Sequence, residues 1–290
     1  MLKESNDNAI FTTEQCNNHC LMCCQPPKRV DDIERLMQNN LKIVSQMPTD
    51  TPVVCITGGE PTLLGDRLFS LIDHIRALLP ETAIHILSNG RNFQHIAYVK
   101  QLKKHAGNNV FVGVPLHSDY GRDHDKIAGA KNAYSETING LYNLASEDIE
   151  IELRIVVNRL NFNRLPQIAS FIYKNLPFVS WIAFMAMEDC GLAQKNRDLI
   201  WVEPKDYIRQ LSDAIGFLSS SGMEVAIYNI PLCLLPLSMH EYAAQSISDW
   251  KVKFLEQCTE CAVIGNCCGL FATSMSVFNE IHPLKLVNHE

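Results

Sequence analysis

Cys16, Cys20 and Cys23 stand in a C-x3-C-x2-C pattern inside the stretch CNNHCLMCC, residues 16 to 24. Iron–sulfur clusters are held by cysteine thiolates, and a four-iron cluster normally takes four of them. Three closely spaced thiolates leave one iron without a protein ligand, and an open coordination position is how a metal centre meets a substrate. An all-cysteine zinc site is the alternative, although zinc sites more often use paired C-x2-C spacings with histidine. His19, beside Cys20, is badly placed to reach the same metal and is expected to face solvent or to support the ligands. Cys24, beside Cys23, has the same problem and reads as a packed thiol rather than a spare ligand.

A second set lies far downstream. Cys258, Cys261 and Cys267 follow one another at C-x2-C-x5-C, Cys268 follows directly, and Cys233 sits in PLCLLP. Cys233, Cys258, Cys261 and Cys267 make a complete four-thiolate set, with Cys268 as an alternate fourth. The C-x2-C pair is a strong metal signal that does not by itself identify the metal. A zinc ion there would be structural, whereas a second [4Fe-4S] cluster could relay electrons or bind substrate. The cluster is the favoured reading, because the first site already requires cluster assembly.

These thiols need elements to hold them. Short apolar, β-branched runs recur at 9–13, 52–57, 83–88, 110–116, 149–157 and 179–187, and their starts fall roughly 27 to 43 residues apart. Between them, DDIERLMQNNLKIV, RLFSLIDHIRALL and RLPQIASFIYKNL carry apolar residues at helical spacing. The two aspartates opening the first of these suit a helix N-terminus. Strand–helix alternation implies a parallel sheet. Six units end near residue 190, short of the about 250 residues of an eight-unit barrel. The expected fold is therefore α/β, a partial (β/α)6 TIM-like barrel over 1–192 with a small cysteine-rich extension over 193–290. A helix near 204–220 and a short strand, MEVAIYNI, open that extension.

Bulk composition narrows the function. The chain has 290 residues, 47% of them hydrophobic, enough for a sizeable core. The net charge of −7 and the lack of a long basic run disfavour nucleic-acid binding. MLKESNDNAIF lacks the apolar core of a signal peptide, and no apolar run approaches the roughly 18 residues of a membrane span. A cytoplasmic location is expected, with no membrane partner. Disulfides are rare there, so eleven cysteines point to metal or redox chemistry.

Cys16, Cys20 and Cys23 directly after a first strand, with GGEPT directly after the second, resemble the radical S-adenosylmethionine (SAM) enzymes. The resemblance implies a [4Fe-4S] cluster on the three cysteines, with the amino and carboxylate groups of SAM on the fourth iron. An electron from the cluster then cleaves SAM to methionine and a 5′-deoxyadenosyl radical, which abstracts hydrogen from a substrate. Met22 occupies the position that, in the family, lies near adenine and is usually aromatic; a thioether can pack on a purine ring. Gly58, Gly59 and Glu60 would bind the amino end of SAM. Ser88 and Asn89, in SNG, would face the ribose, although an ordinary helix cap explains them as well. His117 and Ser118 could contact the methionyl carboxylate or the substrate, while His117 also fits a hydrogen-bonded core position. Arg154 is a candidate carboxylate clamp, with a buried salt bridge to Glu152 as the alternative. His124 and Asp125 are expected to cap the next helix, and Cys55 and Cys190 to be buried thiols.

Taken together, CNNHCLMCCQPP, ITGGEPTLLGD, ILSNGR, GVPLHSD, ELRIVVN and IPLCLLP, with the C-terminal cysteines, resemble the C-type maturases of the His-Xaa-Ser peptide system. That implies a ribosomally made precursor peptide as substrate, an auxiliary cluster, and an external low-potential electron donor. About eight residues precede the first strand, so no winged-helix peptide-binding domain is expected there. A companion maturase or peptide-recognition protein would then present the peptide. Two other readings stay open: radical chemistry on a small molecule such as a purine or pterin precursor, and a non-catalytic iron–sulfur or zinc protein.

Overall fold

Alternating burial along the strands explains the architecture. Val54 and Ile56, Ile84 and Ile86, Val112 and Val114, Leu153 and Ile155, and Ile182 and Phe184 are all fully buried. Each pair is two residues apart, so it lies on one face of its strand. Covering each such apolar side chain stabilises the fold by about 1.5–3 kcal/mol relative to exposure. Intervening residues such as Cys55, His85 and Phe111 fall in the same rows and project to the other face.

The computed structural model describes residues 8–285. The reading of the first residues as lacking a signal peptide, and the outer ends of both expected domains, fall partly outside them. The chain runs β1 (Asn8–Phe11), α1 (Ile33–Val44), β2 (Val53–Thr57), α2 (Asp66–Leu78), β3 (Ala83–Leu87), α3 (Ile96–Ala106) and β4 (Val110–Pro115). It continues through α4 (Gly121–Ala128), α5 (Ala133–Ser146), β5 (Glu150–Val156), α6 (Leu165–Asn175) and β6 (Trp181–Met185). After two single-turn helices, α7 (Leu192–Lys195) and α8 (Arg197–Ile200), come α9 (Pro204–Ser220), β7 (Val225–Tyr228) and β8 (Ala243–Ala244). A small antiparallel pair, β9 (Val252–Lys253) with β10 (Leu270–Phe271), lies in the C-terminal part.

The first eight strands form one sheet in sequence order, every pair parallel. Among the described residues β1 pairs only with β2 and β8 only with β7, so the sheet is open, a partial barrel. The six expected strand–helix units are present. The sheet does not stop at the division placed at 192/193 in the sequence, because β7 pairs with β6 in register, Ile182 against Val225 and Met185 against Tyr228.

Helix α1 shows how the helices serve the strand ends. Its buried face is Met37, Asn40 and Val44, and the Asn40 amide donates to Phe11 O at 2.9 Å, fixing the helix to the end of β1. Among the described residues no helix is long and apolar enough to cross a membrane.

Candidate active site at the ends of the first three strands

Catalytic groups in barrels of this kind sit at the C-terminal ends of the strands. Beyond β1 the Thr12 N–H still donates to Thr57 O at 2.9 Å, and then the chain leaves the sheet as the cysteine loop. Asp32 holds its entrance: Oδ1 accepts from Thr13 Oγ1 at 2.7 Å and Oδ2 from Glu14 N at 2.8 Å. This aspartate stands at the N-terminus of α1, as its sequence position suggested, but its carboxylate makes no cap hydrogen bond and turns to the loop instead.

The β2 turn lies against the same loop. Gly59 N–H donates to Thr13 O at 2.6 Å and Glu60 N–H to Gln15 O at 2.8 Å. A Cβ on Gly59 would fall 2.1 Å from Gln15 O, and one on Gly58 would fall 2.8 Å from Thr13 O. The close approach that requires these glycines is therefore made by the protein's own cysteine loop. On the opposite side, His19 N–H and Leu21 N–H donate to Ala128 O and Ile127 O, at 3.0 and 2.9 Å, so the last turn of α4 also grips the loop. His19 itself faces solvent, as expected.

Cys16, Cys20 and Cys23 are all half-buried. Asn18 N–H points at Cys16 Sγ at 3.4 Å, and His117 Nε2 lies 4.0 Å from Cys20 Sγ. Burial pushes the Cys16 thiol up, and burial with the neighbouring thiols pushes Cys20 up to about 12 and Cys23 to about 11. A bound cation reverses that penalty, because metal binding and thiol deprotonation are coupled. Three soft donors in one loop, costly to ionise without a cation, fit an iron–sulfur cluster.

Glu60 is completely buried and serves the strand ends directly. Its Oε1 accepts from Thr62 N at 3.1 Å, Thr62 Oγ1 at 2.6 Å and Ser88 Oγ at 2.7 Å, and its Oε2 from Asn89 N at 2.7 Å. A carboxylate has about four acceptor directions. Glu60 is thus committed mainly to tying the end of β2 to the end of β3, with room left only at Oε2. Ser88 Oγ both donates to Glu60 and accepts from Gly90 N at 3.1 Å. Asn89 reaches the cysteine loop itself, with Nδ2 2.6 Å from Asn17 Oδ1 and 3.9 Å from Cys16 Sγ.

Arg91 was missed in the sequence. Its Nη1 donates to Asn17 O at 2.6 Å and to Asn18 Oδ1 at 2.8 Å, and its Nε donates to Glu136. The only signal was its place directly after SNG. Thr13 and Asp32 were likewise unmarked as supports, since contacts across 19 residues leave no local pattern.

The fourth and fifth strands contribute unevenly. His117 is buried, and burial with the adjacent His124 keeps its pKa well below the usual value, so it is neutral. Ser118 is fully buried and accepts from Tyr120 N at 3.2 Å, shaping the turn. His124 does not cap a helix; it lies within α4, and its Nδ1 accepts from His117 N at 3.2 Å. The short, polar GRDHDKIA hid that helix. Asp125 does serve the next helix, accepting from Asn132 N and Tyr134 N, each at 2.8 Å. Arg154 Nη1 donates to Glu152 Oε2 at 2.9 Å, and His85 Nε2 lies 3.1 Å from the same oxygen, so the salt bridge is formed. Gly113, between them on β4, leaves room for that contact. Met22 is buried within the hydrophobic core. Cys24 is exposed rather than packed, and Cys55 and Cys190 are only half-buried.

In the C-terminal part, Cys233, Cys258, Cys261 and Cys267 line one cavity, walled also by Leu232, Ile264, Leu270 and Ile281. Cys268 is buried outside that lining and directs Sγ at Gly269 O. Among the described residues, the one group of three metal-ligating side chains with donor atoms all within 4.8 Å of one another is Cys24, Glu188 and Cys190. Neither the N-terminal trio nor any three of the cavity thiols are that close. A tetrahedral zinc site has metal–sulfur bonds of about 2.3 Å, which set its sulfurs about 3.8 Å apart.

Comparison with known proteins agrees with this geometry. The family model of the radical SAM superfamily matches residues 10–172. The chain is 23% identical over 223 residues to the Fe-coproporphyrin III synthase of Methanosarcina barkeri, covering 75% of this chain and 53% of that protein. Its fold is similar to that of Streptococcus suis SuiB bound to S-adenosylmethionine, with a TM-score of 0.62 at 13% identity over 78% of this chain and 51% of SuiB. It is also similar to anSMEcpe with bound AdoMet and the Kp18Cys peptide, with a TM-score of 0.57 at 19% identity over 76% of this chain and 63% of that one. The chain thus spans between about half and 63% of the length of these proteins.

Proposed function

Because the chain belongs to the radical SAM superfamily, we propose that it cleaves SAM reductively at a [4Fe-4S] cluster on Cys16, Cys20 and Cys23 to modify a ribosomally made peptide. The observation that carries this reading is the convergence of the three thiols with the GGE and SNG turns at the C-terminal ends of β1, β2 and β3. When bound there, the cluster supplies the electron that splits SAM to methionine and a 5′-deoxyadenosyl radical able to abstract hydrogen from the substrate.

The chain's own residues have separate tasks. Cys16, Cys20 and Cys23 hold the cluster, and Asn18 N–H and the Asn89 amide direct positive dipole at Cys16. Arg91 and Asp32 fix the loop that carries the ligands. Gly58, Gly59 and Glu60 set the turn that would face the amino end of SAM. Asn89 and Ser88 are the candidates for facing the ribose, and Met22 is the candidate for packing near adenine. Ser118 and Arg154 remain candidates for carboxylate contact. Arg154 would have to share its guanidinium with Glu152, which one free edge permits.

Cys233, Cys258, Cys261 and Cys267, which line one cavity, are proposed to hold an auxiliary [4Fe-4S] cluster. The peptide reading rests on the resemblance to the His-Xaa-Ser maturases and on the similarity in fold to anSMEcpe, solved with the Kp18Cys peptide. A companion maturase or recognition protein and a low-potential electron donor would complete the system, in the cytoplasm. A second reading, a small-molecule substrate, is favoured by the similarity to Fe-coproporphyrin III synthase. Incubating the anaerobically reconstituted, reduced enzyme with SAM and a precursor containing His-Xaa-Ser repeats separates the two. A mass change in the peptide that requires SAM supports the first. An unmodified peptide alongside turnover of a tetrapyrrole supports the second.

A further inference from the structure

We propose that Cys24, Glu188 and Cys190 form a separate mononuclear metal site, taking one Zn²⁺-class cation beside the cysteine loop. Their two sulfurs and a carboxylate oxygen all lie within 4.8 Å of one another. A tetrahedral zinc site with bonds of about 2.0–2.3 Å needs its donors about 3.3–3.8 Å apart, so small side-chain movements complete the coordination. The two cysteine sets assigned to clusters are not gathered so tightly, so this trio alone has single-ion dimensions among the described residues.

The fold brings these residues together from distant parts of the chain. Cys24 follows the cluster ligand Cys23, whereas Glu188 and Cys190 follow β6. Leu192 N–H donates to Cys23 O at 2.8 Å, and the Asn196 amide donates to Leu21 O at 2.9 Å. Gly191 stands between the segments with φ of +60°, and a Cβ there would fall 2.6 Å from Cys24 O. Only glycine tolerates both the left-handed backbone and the contact. The approach that sets the two thiols side by side is thus made by backbone, independently of the thiols themselves.

Glu188 is oriented as metal-binding carboxylates are, by outer hydrogen-bond partners. Lys251 Nζ lies 3.1 Å from its Oε2, and Thr273 Oγ1 donates to its Oε1. Lys251 Nζ also lies 3.4 Å from Oε1, so Oε1 is doubly engaged and the free acceptor direction is at Oε2. The charges balance: two thiolates, one carboxylate, one ammonium and one divalent cation sum to zero. Cys24 is exposed, which gives the ion a path in and leaves a fourth position for water or another ligand. Soft thiolates with one carboxylate select zinc over magnesium or calcium. Such an ion would staple the loop after β6 to the loop that carries Cys20 and Cys23. The assignment does not depend on the radical chemistry.

The test is zinc binding to the full chain, reconstituted anaerobically so that its cluster thiols are occupied, then equilibrated with Zn²⁺ against a chromophoric chelator and desalted. One zinc per chain is expected, with two sulfur ligands by X-ray absorption. Cys24→Ser and Cys190→Ser are each expected to weaken binding at least about 100-fold, and Glu188→Gln about 10-fold, with circular dichroism unchanged. The site is also expected to persist when Cys16, Cys20 and Cys23 are all replaced by alanine, which separates its failure from failure of the proposed function. Should Cys190→Ser fail to fold, exposed Cys24 and Glu188→Gln still decide the matter. Absence of retained zinc, equal retention in the variants, or a Cys24–Cys190 disulfide in anaerobically prepared protein would overturn the proposal.

Discussion

The Asn89 amide lies 2.6 Å from Asn17 Oδ1, so the turn after β3 is hydrogen-bonded directly to the loop that carries Cys16. The same amide nitrogen is 3.9 Å from Cys16 Sγ. A residue marked in sequence for the ribose is therefore also a support for the metal ligands. Asn89→Ala is expected to lower cluster retention about 10- to 100-fold, the usual cost of losing a support behind a ligand. Iron and sulfide per chain after gel filtration measure it, and unchanged retention would remove Asn89 from this role.

Glu60 shows the greater dependence on burial. Replacing it with alanine strands the buried donors Thr62 Oγ1, Ser88 Oγ and Asn89 N. Each stranded donor costs about 1–3 kcal/mol, partly relieved by relaxation. Glu60→Ala is expected to destabilise the fold by about 3 kcal/mol in urea denaturation, even without cluster or SAM. A loss confined to SAM affinity, with stability intact, would instead make Glu60 purely a ligand-binding residue.

Gly59 separates two reasons for a glycine. If the requirement is the approach of the protein's own loop, Gly59→Ala must displace Gln15 O, since the added Cβ would sit 2.1 Å from it. Overpacking against backbone costs about 1–3 kcal/mol. The variant is expected to lose stability in the apo protein and to retain less iron. Full apo stability with weakened SAM binding alone would point to the ligand instead.

What the sequence made legible follows the physics of each signal. The β-branched runs at 52–57, 83–88 and 149–157 became β2, β3 and β5, because period-two burial and turn residues are local properties. The cysteine spacing was legible because three ligands of one centre lie within eight residues. Glu60 was marked for chemistry, but nothing local tells an inward carboxylate from one facing a ligand. Arg91 and Asp32 act through contacts with the cysteine loop that only the folded chain creates. The proximity of Cys24 and Cys190, 166 residues apart, needed the β6 loop folded over the first. Strand β8, two residues long, has no periodicity to find.

Acid sensitivity should come from the buried histidines. Burial lowers the His124 pKa to about 4, while an unfolded histidine titrates near 6.5. As pH falls through 6.5 the unfolded chain takes up a proton that the folded chain refuses until about 4. Stability is therefore full above 6.5 and is lost on acidification, by about 2 kcal/mol between pH 7 and pH 5. His117 acts in the same direction. Urea midpoints at the two pH values measure the loss, and His124→Asn, which keeps an acceptor but cannot titrate, is expected to reduce it. An unchanged pH dependence in that variant would show that His124 is not the group responsible.

In the proposed function the N-terminal thiol trio holds the centre that cleaves SAM. Its most direct measurement is 5′-deoxyadenosine released from SAM by the anaerobically reconstituted, dithionite-reduced protein. Release is expected from the unaltered chain, with a fall of at least about 100-fold in each of Cys16→Ala, Cys20→Ala and Cys23→Ala through loss of a cluster ligand. Release at undiminished rates from any of these variants would contradict it.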